Sequence, residues 1–188
     1  MSNTDTTTQF DAALQRARKV FIAKHHDYGS SWRIMRPVTL TDQILIKARR
    51  IRNIEEGLEP LVKEDTTDEF TGILNYSLMA LIQLEKGASM DADLDEAQSL
   101  ALYDAAAGEC RSLMMRKNHD YGEAWRSMRV SSFTDIILTK LSRIKEIESH
   151  CGHTDVSEGA ASNYMDIAIY AVFAIIKLSE HHDVRLGE

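Results

Sequence analysis

Lys24 to Arg36 reads KHHDYGSSWRIMR, and Lys117 to Arg129 reads KNHDYGEAWRSMR. Nine of the thirteen positions are identical, and Asp27 and Asp120 lie 93 positions apart. Each phrase carries an ammonium, a carboxylate, a phenol, an indole and two guanidiniums within four helical turns. The same offset extends to Lys47 with Lys140 and to Arg50 with Arg143. Five basic positions therefore recur: Lys24/Lys117, Arg33/Arg126, Arg36/Arg129, Lys47/Lys140 and Arg50/Arg143. Residues three apart on a helix share a face, which pairs Arg33 with Arg36 and Lys47 with Arg50. Arginine forks and lysine point charges at close quarters suit phosphate. The competing reading is solvated charge with ion pairs to Asp42 or Glu55. Tyr28 and Trp32, with Tyr121 and Trp125, either seal the core or offer a stacking platform for a base. Asp27 and Asp120 are helix-end hydrogen-bond acceptors or ligands for a hard cation.

Chemistry on phosphates through a divalent cation needs several carboxylates converging on one ion. Glu69 stands one turn before Gly72, whereas Asn163 and Asp166 hold those places in the second copy. Thus "ExxG" in one half faces "NxxD" in the other. Glu55, Glu56 and Glu59 form "EEGLE", but Gly57 and Pro60 mark that stretch as a helix end. "HCGH" at His150–His153 lacks a second ligand pair at zinc spacing. "HHD" at His25–Asp27 has no histidine upstream, and the second "HHD" at His181–Asp183 lies in a polar tail, so an HD-type phosphohydrolase does not fit.

The elements that must carry these residues are helices, three per copy. Phe10, Leu14, Ala17 and Phe21 recur at helical spacing, and Gly29 can adopt the left-handed conformation that ends the run. A second helix is expected from about Thr39, with Thr39 and Ser132 three residues before Asp42 and Asp135 in a capping-box-like start. Leu45, Ala48, Ile51 and Ile54 form its stripe. The third, from about Asp68 to Lys86, is apolar nearly all round and so belongs at the centre. Its counterpart spans about Ala160 to Ser179, where the offset slips to 94 and Tyr76 meets Tyr170. Two copies are too few for a solenoid. The expected fold is all-α: duplicated three-helix units, 8–88 and 95–180, joined through "GASMDADLDEA" into one six-helix, pseudo-twofold bundle like a fused dimer.

Composition narrows the function. Among 188 residues the hydrophobic share is 44% and the net charge is −7, which argues against an extended nucleic-acid surface. Two cysteines make no disulfide framework, the start MSNTDTTTQF has no apolar signal core, and Ile167–Ile176 is about half a membrane span. The expectation is a cytoplasmic protein with no membrane partner, free to form a homodimer.

The phrase K-x-H-D-Y-G-x-x-W-R-x-M-R followed by TDQILIKARRIRNIEEG resembles the nucleotide-modification-associated domain family, the first of its numbered series; SSFTDIILTKLSRIKEIE supplies the second copy. That family is similar to all-α nucleoside triphosphate pyrophosphohydrolases of the MazG and dimeric dUTPase type, bundles that hold Mg²⁺ on helix carboxylates and release pyrophosphate. The resemblance implies a nucleotide or modified nucleotide as ligand and Mg²⁺ as cofactor. It implies Glu69 and Asp166 as catalytic carboxylates, and Asp27, Asp120, Glu69 and Asp166 around the metal. The repeated lysines and arginines would hold phosphates, and Tyr28, Trp32, Tyr121 and Trp125 would face the base. Neither half has both members of the family's "ExxD" pair, so either Glu69 and Asp166 meet across the pseudo-axis to complete one metal site, or one of the two pseudo-sites has decayed. A nucleotide-binding module without chemistry, and a structural protein whose halves merely pack, are the alternatives.

Overall fold

The computed structural model describes residues 3–153 and 158–186, with side chains for 6–153 and 158–180; the side chains of His181–Asp183 lie outside that set. The described residues form six α-helices and no strand: α1 (Asn3–Tyr28), α2 (Pro37–Glu55), α3 (Thr66–Lys86), α4 (Glu96–Tyr121), α5 (Val130–Ser149) and α6 (Ala160–Leu186). A single 3-10 turn, Ser31–Ile34 or Ala124–Ser127, joins the first two helices of each half. Gly29 and Gly122 break α1 and α4 with φ of 59° and 62°, the left-handed backbone that glycine adopts without steric cost.

One local expectation is corrected, in both halves. α2 and α5 begin at Pro37 and Val130, not near Thr39 and Ser132, and Arg36 and Arg129 take the N-cap positions without a side-chain cap bond. Proline at the first helical position needs no N–H partner and has its φ preset, so it starts α2 earlier than a capping box would. Asp42 and Asp135 are therefore too far along to serve the helix start; each pairs with the opposite half instead. "HCGH" is the turn that ends α5, with Cys151 and Gly152 at positive φ.

α3 and α6 are buried on most faces and pack against each other at the centre. Phe70, Ile73, Leu74 and Leu78 from α3 meet a row of small and branched residues from α6, including Ala168, Ala171, Val172 and Ala174. By length and composition Ala160–Glu180 could cross a membrane; here its most apolar stretch is 67% buried inside the body. α2 lies on α3, α5 lies on α6, and α2 and α5 meet each other; α1 and α4 complete the bundle.

The polar contacts between halves come in reciprocal pairs. Thr134 donates to Glu55 at 2.8 Å, and Thr41 donates to Glu148 at 2.6 Å. Arg52 pairs with Asp135, and Lys145 with Asp42, both at 2.8 Å. Arg18 pairs with Asp104 at 2.7 Å, and Arg111 with Asp11 at 2.6 Å. Each contact becomes its mate when the halves are exchanged, which is what a pseudo-twofold axis demands.

The two 3-10 turns are clamped alike. Gln83 of α3 donates to the carbonyls of Arg33 (2.8 Å) and Met35 (2.5 Å), and its counterpart Lys177 of α6 donates to those of Arg126 (2.7 Å) and Met128. Arg33 is 3% exposed; it donates to Asp93 at 3.0 Å and to the Gly87 carbonyl at 2.8 Å, tying the inter-half linker to α3. Arg126 ties its turn to Thr6, Gln9 and Glu180. Removing a buried charge that satisfies several acceptors leaves them unpaired. Arg33→Ala is expected to cost about 2–4 kcal/mol, against less than about 1 kcal/mol for the solvent-facing Arg18→Ala. Denaturant unfolding of the two variants measures the contrast; equal costs would mean that Arg33 is not a clamp.

Candidate functional site: two related clefts

Each half encloses one cleft between the end of its first helix, its tryptophan turn, and its second and third helices. The first, about 520 Å³, is lined by Lys24, His25 and Tyr28 from α1, Trp32 from the turn, Lys47 from α2, and Asp68, Gly72, Asn75, Tyr76 and Met79 from α3, with Glu64 at its mouth. The second, about 420 Å³, is lined by Lys117, Asn118, Tyr121, Trp125, Lys140, Asp166, Ile169, Tyr170 and Phe173. Every one of these nine residues is the duplicate of a residue lining the first. The aromatic pair of each phrase splits its duties. Trp32 and Trp125 are 6% and 5% exposed and wall the clefts from the core side, whereas Tyr28 and Tyr121 are mostly exposed at the rims. Among the described residues, the indole nitrogens of Trp32 and Trp125 are buried donors without an acceptor. A buried polar atom left unpaired is costly and uncommon in a folded protein.

The same lysines meet different carboxylates. In the first half Lys47 pairs with Glu69 at 3.0 Å, and Arg50 closes on the other oxygen of that carboxylate. The Lys47 stem crosses directly over Gly72, where an added Cβ would stand 2.6 Å from Lys47 Cε. In the second half Asp166 replaces that glycine and takes both lysines, Lys117 and, at 2.6 Å, Lys140. Glu69 is almost fully buried. Burial pushes its carboxyl up, but the Lys47 and Arg50 contacts outweigh burial and hold its pKa below the ordinary carboxylate value.

Of the residues expected to hold phosphates, Lys24 and Lys47 line the first cleft, and Lys117 and Lys140 the second. Arg33 and Arg126 are turned into the clamps described above. Arg50 donates to Glu69 and to the carbonyls of Val62 and Glu64, holding the loop before α3. Arg36, Arg129 and Arg143 are exposed and line neither cleft. Lys24 has no ion-pair or hydrogen-bond partner among the described residues, whereas its duplicate Lys117 is paired.

The carboxylates expected around Mg²⁺ do not come together. Glu69 lies with Lys47 and Arg50, Asp166 lies in the second cleft, and Asp27 and Asp120 are exposed and line neither cleft, Asp120 standing 3.1 Å from His119. No group of three acidic, histidine or cysteine side chains among the described residues could cage a cation. The shared site across the pseudo-axis is corrected: Glu69 and Asp166 answer to separate sets of cations in separate halves. Sequence reasoning missed Asp68, Tyr76, Met79, Tyr170 and Phe173 as lining residues. The signal was present in the Tyr76–Tyr170 register: residues three or four positions away on a helix share a face, which reaches Met79 and Phe173 directly and Asp68 through Gly72.

A duplicated all-α body with an aromatic–lysine cleft in each copy is the class that fold and site define. The family model for nucleotide modification associated domain 1 matches the chain twice, over residues 24–84 and 117–178. The chain belongs to that family, whose description ties it to nucleotide modification. Comparison with curated proteins and with solved structures gave no match.

The lowered Glu69 pKa makes its ion pairs a source of acid sensitivity. A depressed folded pKa contributes stability above the unfolded value, near 4.5, and that stability is lost as pH falls through the folded value. Glu69→Gln should cost about 1–3 kcal/mol at pH 7 and should flatten the fall in stability below pH 4.5. Unfolding curves across that range check the sign; an unchanged pH slope would contradict it.

Proposed function

We propose that this chain binds a nucleotide or modified nucleotide, in a role within nucleotide or modified-base metabolism. The observation that carries the reading is the first cleft. An unpaired ammonium, Lys24, stands at one end of a cavity of about 520 Å³ walled by Trp32 and Tyr76 and rimmed by Tyr28. A cavity of this size, apolar with a few polar groups, is typical of small-ligand sites. A base has a π-face for the aromatic wall, and its phosphates meet Lys24 as a point charge. The family's description supports the same ligand class.

A hydrolytic version has one observation in its favour. Glu64 and Asp68 line the same cleft as Lys24. Mg²⁺ brought in by a triphosphate is commonly held by one or two carboxylates together with the phosphates. The likeness to MazG-type pyrophosphohydrolases belongs to this version, and the duplicated helical body supports it. The carboxylates first expected to hold the metal do not fit a cage, so no step is derived through one.

Lys24→Ala should weaken nucleoside triphosphate binding about tenfold, since a charge-assisted contact is worth roughly 1.5–3 kcal/mol. Its melting temperature should be unchanged, because Lys24 pairs with nothing. Calorimetric titration of wild type and variant checks this, and equal affinities would contradict the site. Pyrophosphate release by wild-type protein with Mg²⁺, abolished in Asp68→Asn, would establish the hydrolytic version. Binding without release would leave the binding module.

A further inference from the structure

We infer that the two clefts are not equivalent: the first takes the nucleotide, whereas in the second the lysines and the tryptophan are already engaged by two of the chain's own side chains, Asp166 and Phe173. The inference rests on the nucleotide reading and adds which copy serves as the site. A nucleotide cleft of this kind needs an ammonium open to phosphate and an aromatic face open to the base. In the second cleft Asp166 takes both lysines. Phe173 lies flat on Trp125, with ring centres 4.2 Å apart and planes 2° from parallel. Arg126 covers Trp125 as well, 4.4 Å from the ring centre. A carboxylate therefore stands where an anion would, and a ring where a base would stack.

In the first cleft the same two positions are Gly72 and Met79. Gly72 supplies no carboxylate; Lys47 crosses over it to reach Glu69, and Lys24 stays unpaired. Met79 is flexible and offers no parallel ring. Trp32 meets Phe21, tilted by 58° at 6.1 Å, and Arg33 at 5.8 Å from its ring centre, both looser contacts than those on Trp125. Positions 72 and 79, like 166 and 173, are seven apart, so both differences lie on one face of the third helix, two turns from each other. The volumes agree in direction, about 420 Å³ against about 520 Å³. Charge carries the distinction; the two indoles are about equally buried, at 6% and 5%, and differ in how closely their neighbours lie on them.

Each cleft holds one of the chain's two tryptophans, so fluorescence can address them separately. Wild type, Trp125→Phe (which leaves Trp32) and Trp32→Phe (which leaves Trp125) are titrated with each of the four common deoxynucleoside triphosphates. Calorimetry gives the stoichiometry. The expected result is one nucleotide per chain, a change in Trp32 emission, and none in Trp125 emission. The double variant Asp166→Asn/Phe173→Met, confirmed as folded by circular dichroism, should bind a second nucleotide at least tenfold more tightly than the wild-type second cleft does. Gly72→Asp should weaken the first site about tenfold. Two equal sites in wild type, or a response confined to Trp125, would overturn the inference and leave the nucleotide reading intact. A folded double variant that gains no second ligand would overturn the role given to Asp166 and Phe173. No binding by wild type would overturn the nucleotide reading and this inference together.

Discussion

The contact on which the rest depends is the packing of α3 against α6. Both helices are apolar nearly all round, so neither can face water, and each is the best available cover for the other. Alanines at 168, 171 and 174 keep α6 narrow along its buried length. Once the pair is formed about a near-twofold axis, α2 and α5 follow on one side and α1 and α4 on the other. The reciprocal threonine–glutamate and arginine–aspartate contacts then fall into register as consequences. They specify the docking of the halves; the arginine–aspartate pairs lie at the surface and contribute little to stability, whereas Thr41 and Thr134 are buried.

The same helices also set the clefts. Each third helix sends a clamp residue, Gln83 or Lys177, to the tryptophan turn, and a carboxylate, Glu69 or Asp166, three turns or more before it to the lysines. A change in one third helix therefore alters the chemistry of its own cleft without disturbing the dyad. Duplication gives the body two chances at a site. Residues 72, 79, 166 and 173 are where the two copies are free to part company, because they line cavities and are not needed by the axis.

Much of the architecture was legible in the sequence because it rests on repetition and period. The 93-residue offset, the helical stripes and the DYG breaks at Gly29 and Gly122 carried over with little change. The start of α2 was missed because a capping box and a proline both predict a beginning, and Pro37 wins by two residues. The fate of the arginines was not legible. Arg33 and Lys24 are equally basic and equally repeated, yet one is 3% exposed with its donors engaged and the other faces solvent without a partner. Periodicity says which face a residue lies on, and not which acceptors that face meets. Glu69 and Asp166 failed to meet for a related reason: each lysine on the second helices already had a nearer carboxylate on its own third helix, so local pairing forestalled a shared site.

The central claim is that a duplicated body presents a single open nucleotide cleft. A crystal structure of the chain grown with an excess of a deoxynucleoside triphosphate tests it most directly. The account predicts one ligand, its base against Trp32 and Tyr76 and a phosphate within hydrogen-bond reach of Lys24 Nζ, with Asp166 still on Lys117 and Lys140. A nucleotide lodged against Trp125, or electron density for one only outside both clefts, would contradict it.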